Sequence, residues 1–255
     1  MSKREIYKEY GINYVGGKIE SPVGLIPELL VNGNAKLGKG VWTFSMLAGT
    51  KEYNVKINGI DYTVKGTCAC DCCGCYAQTG NYRFSSTINA LAIRTVIARE
   101  YIDFMKRAIM AQIQADNIKL LRIHASGDFF SAEYVNAWKE IASNSNSCVF
   151  WSYTKVKSFE RSFDNIPNVN IVKSLIDGCG FNFGHCDYII ETYQKLLGLE
   201  KTVHICKCGV DKNQHCVNCK GCSENEYVLF IEHSTAYKAE TDSSFPALVK
   251  LINAQ

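Results

Sequence analysis

The spacing of apolar residues changes its period along the chain, and the changes outline an architecture. Early on the apolar runs are short and β-rich. Val41–Met46 (VWTFSM) predicts a first strand, and Tyr53–Ile57 and Ile60–Val64 flank Asn58-Gly59, a strong hairpin signal. From about Ser86 to Asp116 the period lengthens to that of a helix. Ile88, Leu91, Ala92, Val96, Ile97, Tyr101, Phe104, Met105, Ala108 and Ile109 recur at intervals of three and four, and Ser85 or Ser86 can cap the start. Short apolar runs then alternate with helical stretches, at Lys119–Ala125, Cys148–Tyr153, Val169–Leu175, Thr202–Cys206 and Tyr227–Glu232. Ser131 can cap a helix with Tyr134, Val135, Trp138 and Ile141 on one face, and Ile189–Leu197 reads as another.

Strands alternating with helices imply a mostly parallel sheet. The strands number about six, short of the eight in a closed (β/α)8 barrel. The expected fold is therefore α/β, a partial (β/α)6 barrel-like parallel sheet with an N-terminal β-hairpin insertion and a C-terminal Cys-rich metal knuckle. Residues 1–40, punctuated by Gly16-Gly17, Pro22 and Asn32-Gly33-Asn34, are expected to form an irregular arm, and 41–255 a single domain. Site residues in such sheets belong in loops at the strand C-terminal ends.

Composition then narrows the class. At 255 residues, 47% hydrophobic and 21% charged, the chain is neither disordered nor a coiled coil. Its formal charge of +3 permits a nucleic acid partner without requiring one. No run of 18 apolar residues exists, so no membrane partner is expected, and MSKREIYKEY lacks the apolar core of a secretory signal. A cytoplasmic location follows as the expectation. A chain of this length buries a core without staples, so its 13 cysteines need another use. Ten of them lie in two short stretches, and clustered thiols in a reducing compartment hold metal more often than they form disulfides.

The first stretch holds Cys68, Cys70, Cys72, Cys73 and Cys75. Cys68, Cys72 and Cys75 give C-x3-C-x2-C, which can hold three irons of a [4Fe–4S] cluster and leave the fourth open for a ligand. Cys70, Cys72 and Cys75 with a distant His would instead suit zinc. Thiolate serves both metals, so ligand type does not choose between them. The second stretch is Cys206-x-Cys208 followed by Cys216-x2-Cys219-x2-Cys222, with His215 adjoining. Four thiolates suffice for a tetrahedral zinc site or a second iron–sulfur cluster, and the fifth leaves Cys206 against Cys208 open.

Between the stretches, the second strand runs into Ser126-Gly127-Asp128. Gly127 allows a ligand to approach closely. Asp128 can accept from an amine or hydroxyl; alternatively it or Ser131 caps the next helix. His124 reads as a hydrogen-bonded core residue. Tyr153 and Lys155 end the third strand and Asp177 the fourth, which makes them catalytic candidates beside Asp128.

The order VWTFS, clustered cysteines ending in CYA, RIHASGDFFSAEYVNAW, FWSYTK and a terminal C…C-x2-C-x2-C resembles the phage and plasmid family named after mycobacteriophage gene product 88, over about Val41–Cys222. More distantly the chain is similar to phage proteins with a three-cysteine motif that look like radical S-adenosylmethionine (SAM) enzymes. That likeness implies Cys68, Cys72 and Cys75 as cluster ligands, and Ser126, Gly127 and Asp128 as the motif that holds SAM. Gly74 stands where an aromatic usually precedes the third cysteine, and SGD replaces two glycines and a glutamate. The implied function is an iron–sulfur enzyme of a bacterial host cytoplasm that cleaves SAM with an external electron donor and modifies a nucleic acid or nucleotide. Two alternatives stand beside it. One is a zinc-bearing base-exchange enzyme resembling the tRNA-guanine transglycosylases and the DpdA type that acts on DNA, with Asp128 and Asp177 catalytic. The other is a zinc-stabilised nucleic-acid-binding module without catalysis. The oligomeric state is left open.

Overall fold

A computed structural model describes residues 1–33, 37–69, 71, 75–174, 182–207, 210–211, 213–231 and 239–255. The chain opens with helix α1 (Lys3–Glu9), whose Ser2 and Glu5 form a capping box, each side chain bonding the other's backbone N–H. Strands β1 (Tyr14–Val15), β2 (Lys18–Ser21) and β3 (Gly24–Pro27) form an antiparallel sheet, and β4 (Val31–Asn32) pairs antiparallel with β5 (Val41–Phe44). The expected irregular arm is thus regular structure. Its Tyr7, Ile12, Ile19, Ile26 and Leu29 are buried in the main core, which is what orders it.

The hairpin is where the dipeptide puts it. Strands β6 (Glu52–Ile57) and β7 (Ile60–Lys65) pair around Asn58 and Gly59, whose φ of 47° and 88° match a type I′ turn. The single long helix is a correction. Tyr101 takes φ −135° and ψ 51°, dividing it into α2 (Ser85–Glu100) and α3 (Ile102–Ala115). No proline or glycine marks the break, and the apolar spacing runs on through it.

Strand β8 (Leu120–Ile123) follows, then α4 (Ala132–Ser143) with Ser131 accepting the Tyr134 N–H as its cap. Next come β9 (Val149–Thr154), α5 (Lys157–Glu160) and β10 (Val169–Lys173). β5, β8, β9 and β10 lie side by side in chain order and all parallel, with β4 antiparallel at the edge. The remaining elements are β11 (Phe183–Gly184), α6 (Cys186–Gly198), β12 (Val203–Ile205), α7 (Gly221–Glu224), β13 (Tyr227–Ile231) and α8 (Phe245–Asn253). Here β11, β13 and β12 form a second, parallel sheet with its own core of Ile189, Leu196, Ile205, Leu229, Leu248 and Ile252.

The chain is therefore a mixed α/β fold with parallel and antiparallel pairing. Alternation along the strands gives the main sheet two faces. Phe44, Leu121, Ile123 and Phe150 face the helices, packed with Val96, Met105 and Trp138. Val41, Leu120, Trp151 and Tyr153 lie on the opposite face, against Leu37, Cys216 and Cys222. Cys216 and Cys222 of the second cysteine stretch thus pack on the sheet face opposite Val96, Met105 and Trp138. Among the described residues no helix is long and apolar enough to cross a membrane.

Candidate functional site

The loop after β8 is fastened to its surroundings through backbone. Met46 N–H donates to the Ser126 carbonyl at 3.0 Å, and the Ser126 hydroxyl donates back to the Met46 carbonyl at 2.7 Å. Gly127 holds φ +84°, and a Cβ there would lie 2.6 Å from Thr67 Oγ1 and 3.1 Å from the Met46 Cβ. The glycine permits the close crossing of these segments rather than opening room for a ligand. Thr67 Oγ1 accepts the Asp128 N–H at 3.1 Å, which ties this loop to the start of the first cysteine stretch.

Asp128 is 7% exposed, and its carboxylate accepts the Thr154 hydroxyl at 2.8 Å, the Lys155 N–H at 3.0 Å and its own Phe129 N–H at 2.7 Å. Burial pushes its pKa up to about 6, although the Lys155 N–H, the Thr154 hydroxyl and the Phe129 N–H favour the charged form. His124 is a core residue, as its strand suggested. It shares a hydrogen bond of 2.8 Å with the Tyr134 phenol and stands edge-on to Phe129 at 4.6 Å. Burial, with the nearby Arg122 charge, lowers its pKa to about 3, so the ring is neutral near pH 7.

The residues that meet on the other face of the sheet, the one that carries Trp151 and Cys222, are different ones. Arg122, from β8, lies 4.9 Å from the Tyr153 ring centroid, and its Nη2 donates to the Tyr76 phenol at 3.4 Å. Tyr76 follows Cys75 directly; its phenol donates to the Ala125 carbonyl and its ring stands edge-on to Tyr82 at 5.8 Å. The Tyr153 phenol lies 2.7 Å from Cys222 Sγ, and burial, with the Cys222 sulfur beside it, raises its pKa well above the ordinary value. Cys206, at the end of β12, packs with Cys222 around Val172 and Val228. His204 Nε2 sits 3.7 Å from Cys219 Sγ. Burial alone would lower the Arg122 pKa; the neighbouring Tyr76, Tyr153, Cys222 and Cys216 instead carry it above its ordinary value.

Arg122 is therefore where the two cysteine stretches come together. The first reaches it through Cys75-Tyr76 and the second through Cys216 and Cys222. Sequence reasoning passed over this residue, although a lone charge inside the apolar run LLRI was a visible signal. Cys70, Cys72, Cys73, Cys208 and Asp177 lie outside the described residues. Among the described residues, no group of three or more His, Cys, Asp or Glu is arranged to hold a metal ion.

The sequence model of the family described as gene product 88 matches residues 28–245. The chain belongs to the gene product 88 family. The gene 88 proteins of mycobacteriophages L5 and D29 are each 33% identical to it over 82 residues, which is 27% of this chain and 34% of theirs. The chain thus spans 34% of the length of these curated relatives. No solved structure matches it.

Proposed function

We propose that this member of the gene product 88 family is an iron–sulfur enzyme, with its metal at the 68–75 loop and its substrate on the sheet face that carries Arg122. A partial barrel reading of the two sheets, with both inner faces turned to one site, accompanies the proposal. One observation carries it. Four parallel strands stand in chain order; the thiol-rich segment comes after the first by way of the β6–β7 hairpin, the SGD loop follows the second, and YTK ends the third. Chemistry in parallel α/β sheets gathers at those strand ends.

Thiolates suit an iron–sulfur cluster, and Cys68, Cys72 and Cys75 would be its ligands. Such a cluster, once reduced by an external donor, supplies a single electron at an open iron. Asp128 fits the SAM-binding part of the reading poorly, since it is buried and three internal donors take all but one acceptor position of its carboxylate. The chain's own contribution is positional: the SGD loop fastens Thr67, one residue before the thiols, and Leu37, Val41 and Trp151 bury the sheet face beneath Cys216 and Cys222. A nucleotide or nucleic acid substrate is the class favoured, because Arg122 and the half-exposed Tyr76 offer it a charge and a ring.

The test is anaerobic purification of the full chain, with iron, sulfide and zinc measured before and after replacing Cys68 and Cys75 by Ala. Iron and sulfide together, a broad band near 400 nm and loss of both in the variant are expected. Colourless protein with zinc alone would overturn the proposal. The inward use of Ser126 and Asp128 favours the zinc-stabilised binding module as the second reading, and zinc alone with tight nucleic acid binding would establish it.

A further inference from the structure

We propose that Arg122 anchors an oxyanion subsite on the face of the main sheet that carries Trp151 and Cys222, taking the phosphate or carboxylate head group of a small ligand. A guanidinium stays charged and carries five N–H donors in a rigid fork. Here the guanidinium carbon lies over the Tyr153 ring, 4.9 Å from its centroid, and Nη2 reaches Tyr76 at 3.4 Å, the far limit of a hydrogen bond. Its Nε is buried and has no hydrogen-bond partner. Among the described residues no carboxylate forms an ion pair with Arg122.

Arg122 as a whole is only part-buried, but its Nε–H is buried and unpaired. An unsatisfied buried donor is costly to keep, so a native fold that retains one has a use for it. An oxyanion placed in the guanidinium plane takes two parallel N–H bonds along one edge; at Arg122 the Nε–H is unpaired and Nη2 holds only its long contact to Tyr76. Tyr76, 56% exposed, stands at the solvent side of the same group. His124 behind it is held neutral and supplies no competing charge. In the proposed function this subsite would receive the substrate's head group, and to that extent the inference rests on that reading. Oxyanion binding itself is measured without turnover or iron, so the two fail separately.

The experiment is a titration of the full-length protein, labelled with 15N, with inorganic phosphate and separately with acetate. Sodium chloride holds the ionic strength constant, and the arginine Nε–H signals are followed. One signal, missing from the spectrum of Arg122→Gln, is expected to move saturably, and the anion acting at lower concentration tells phosphate from carboxylate. Calorimetry should show that anion binding at least tenfold more weakly to Arg122→Gln. Should Arg122→Gln fail to fold, Arg122→Lys keeps the charge, removes the same signal and serves the same comparison. If no arginine signal of the wild-type protein responds, or all shift together without saturation, the guanidinium merely balances the neighbouring thiols and the proposal is overturned.

Discussion

The Asp128 carboxylate and the Thr154 hydroxyl, 2.8 Å apart, join the loop that leaves β8 to the end of β9. The same carboxylate takes the Lys155 N–H at 3.0 Å, so an acid expected to face a ligand or cap α4 instead clamps two strand ends. Asp128→Asn should therefore destabilise the fold, because one amide nitrogen must face a donor. An unsatisfied buried donor costs about 1–3 kcal/mol. For a chain of this size, each kcal/mol lowers Tm by about 2–4 °C. Thermal unfolding at pH 7 checks this, and an unchanged Tm would return Asp128 to the role of a replaceable cap.

Asp128 and His124 act oppositely on stability as the pH falls. Burial raises Asp128 from 3.8 to about 6, so the folded chain binds its proton more tightly and this group makes the fold more stable as pH falls through that window. His124 is lowered from 6.5 to about 3, so there the unfolded chain binds the proton and stability is lost as pH falls below 6.5. Each slope is about 1.4 kcal/mol per pH unit, and between about pH 4 and 6 they cancel. In Asp128→Asn only the His124 slope remains. Urea unfolding across that range should show the variant losing stability relative to wild type with every step down, whereas parallel profiles would refute the assignment.

Much of the fold was legible because its strands are β-branched runs and its hairpin turn is Asn58-Gly59, whose φ values the turn requires. The capping box of Ser2 and Glu5 that starts α1 went unread, because the glycines further on suggested an irregular arm. They are turns between short strands that Ile19 and Ile26 pin to the core. The break at Tyr101 left no trace, since both helices bury faces of the same spacing. Of the site, the thiols and SGD stood out by type, while the inward use of Asp128 depends on Thr154, 26 residues further on. Arg122 acquires its meaning only from Tyr76, Tyr153 and the second cysteine stretch, which the sheet brings together.

Gly127 and Gly59 offer a matched comparison. Both hold positive φ, +84° and +88°, but a Cβ at Gly59 meets nothing within 4 Å. Gly59→Ala should cost only the backbone strain, about 1 kcal/mol. At Gly127 the added carbon would stand 2.6 Å from a Thr67 hydroxyl that already donates to Leu47 and accepts from Asp128, so the neighbour cannot yield without breaking both bonds. Gly127→Ala should therefore lose about 3 kcal/mol or more, from strain and broken bonds together. Urea midpoints of the two variants decide it; equal losses would mean the crossing is looser than described.

Cys222 joins the two sheets, and packing can be separated there from metal binding. Its side chain packs with Val41 and Trp151 on one side and with Val172, Cys206 and Val228 on the other. Its carbonyl accepts the Asn170 side-chain N–H at 2.8 Å. Cys222→Ala removes the sulfur from this junction and should cost about 1–2 kcal/mol. Amide exchange should then quicken in β12 and β13, while β5, β8 and β9 keep their protection. Cys222→Ser preserves size and the contact with the Tyr153 phenol but is a poor metal ligand. If the cysteine only packs, the Ser variant should exchange like wild type and hold the same metal. If it ligates, the Ser variant should lose the metal of the second stretch and exchange as fast as the Ala variant, while metal at the 68–75 loop stays. Loss of all metal from a folded Ser variant would instead show one centre shared between the two stretches around Arg122.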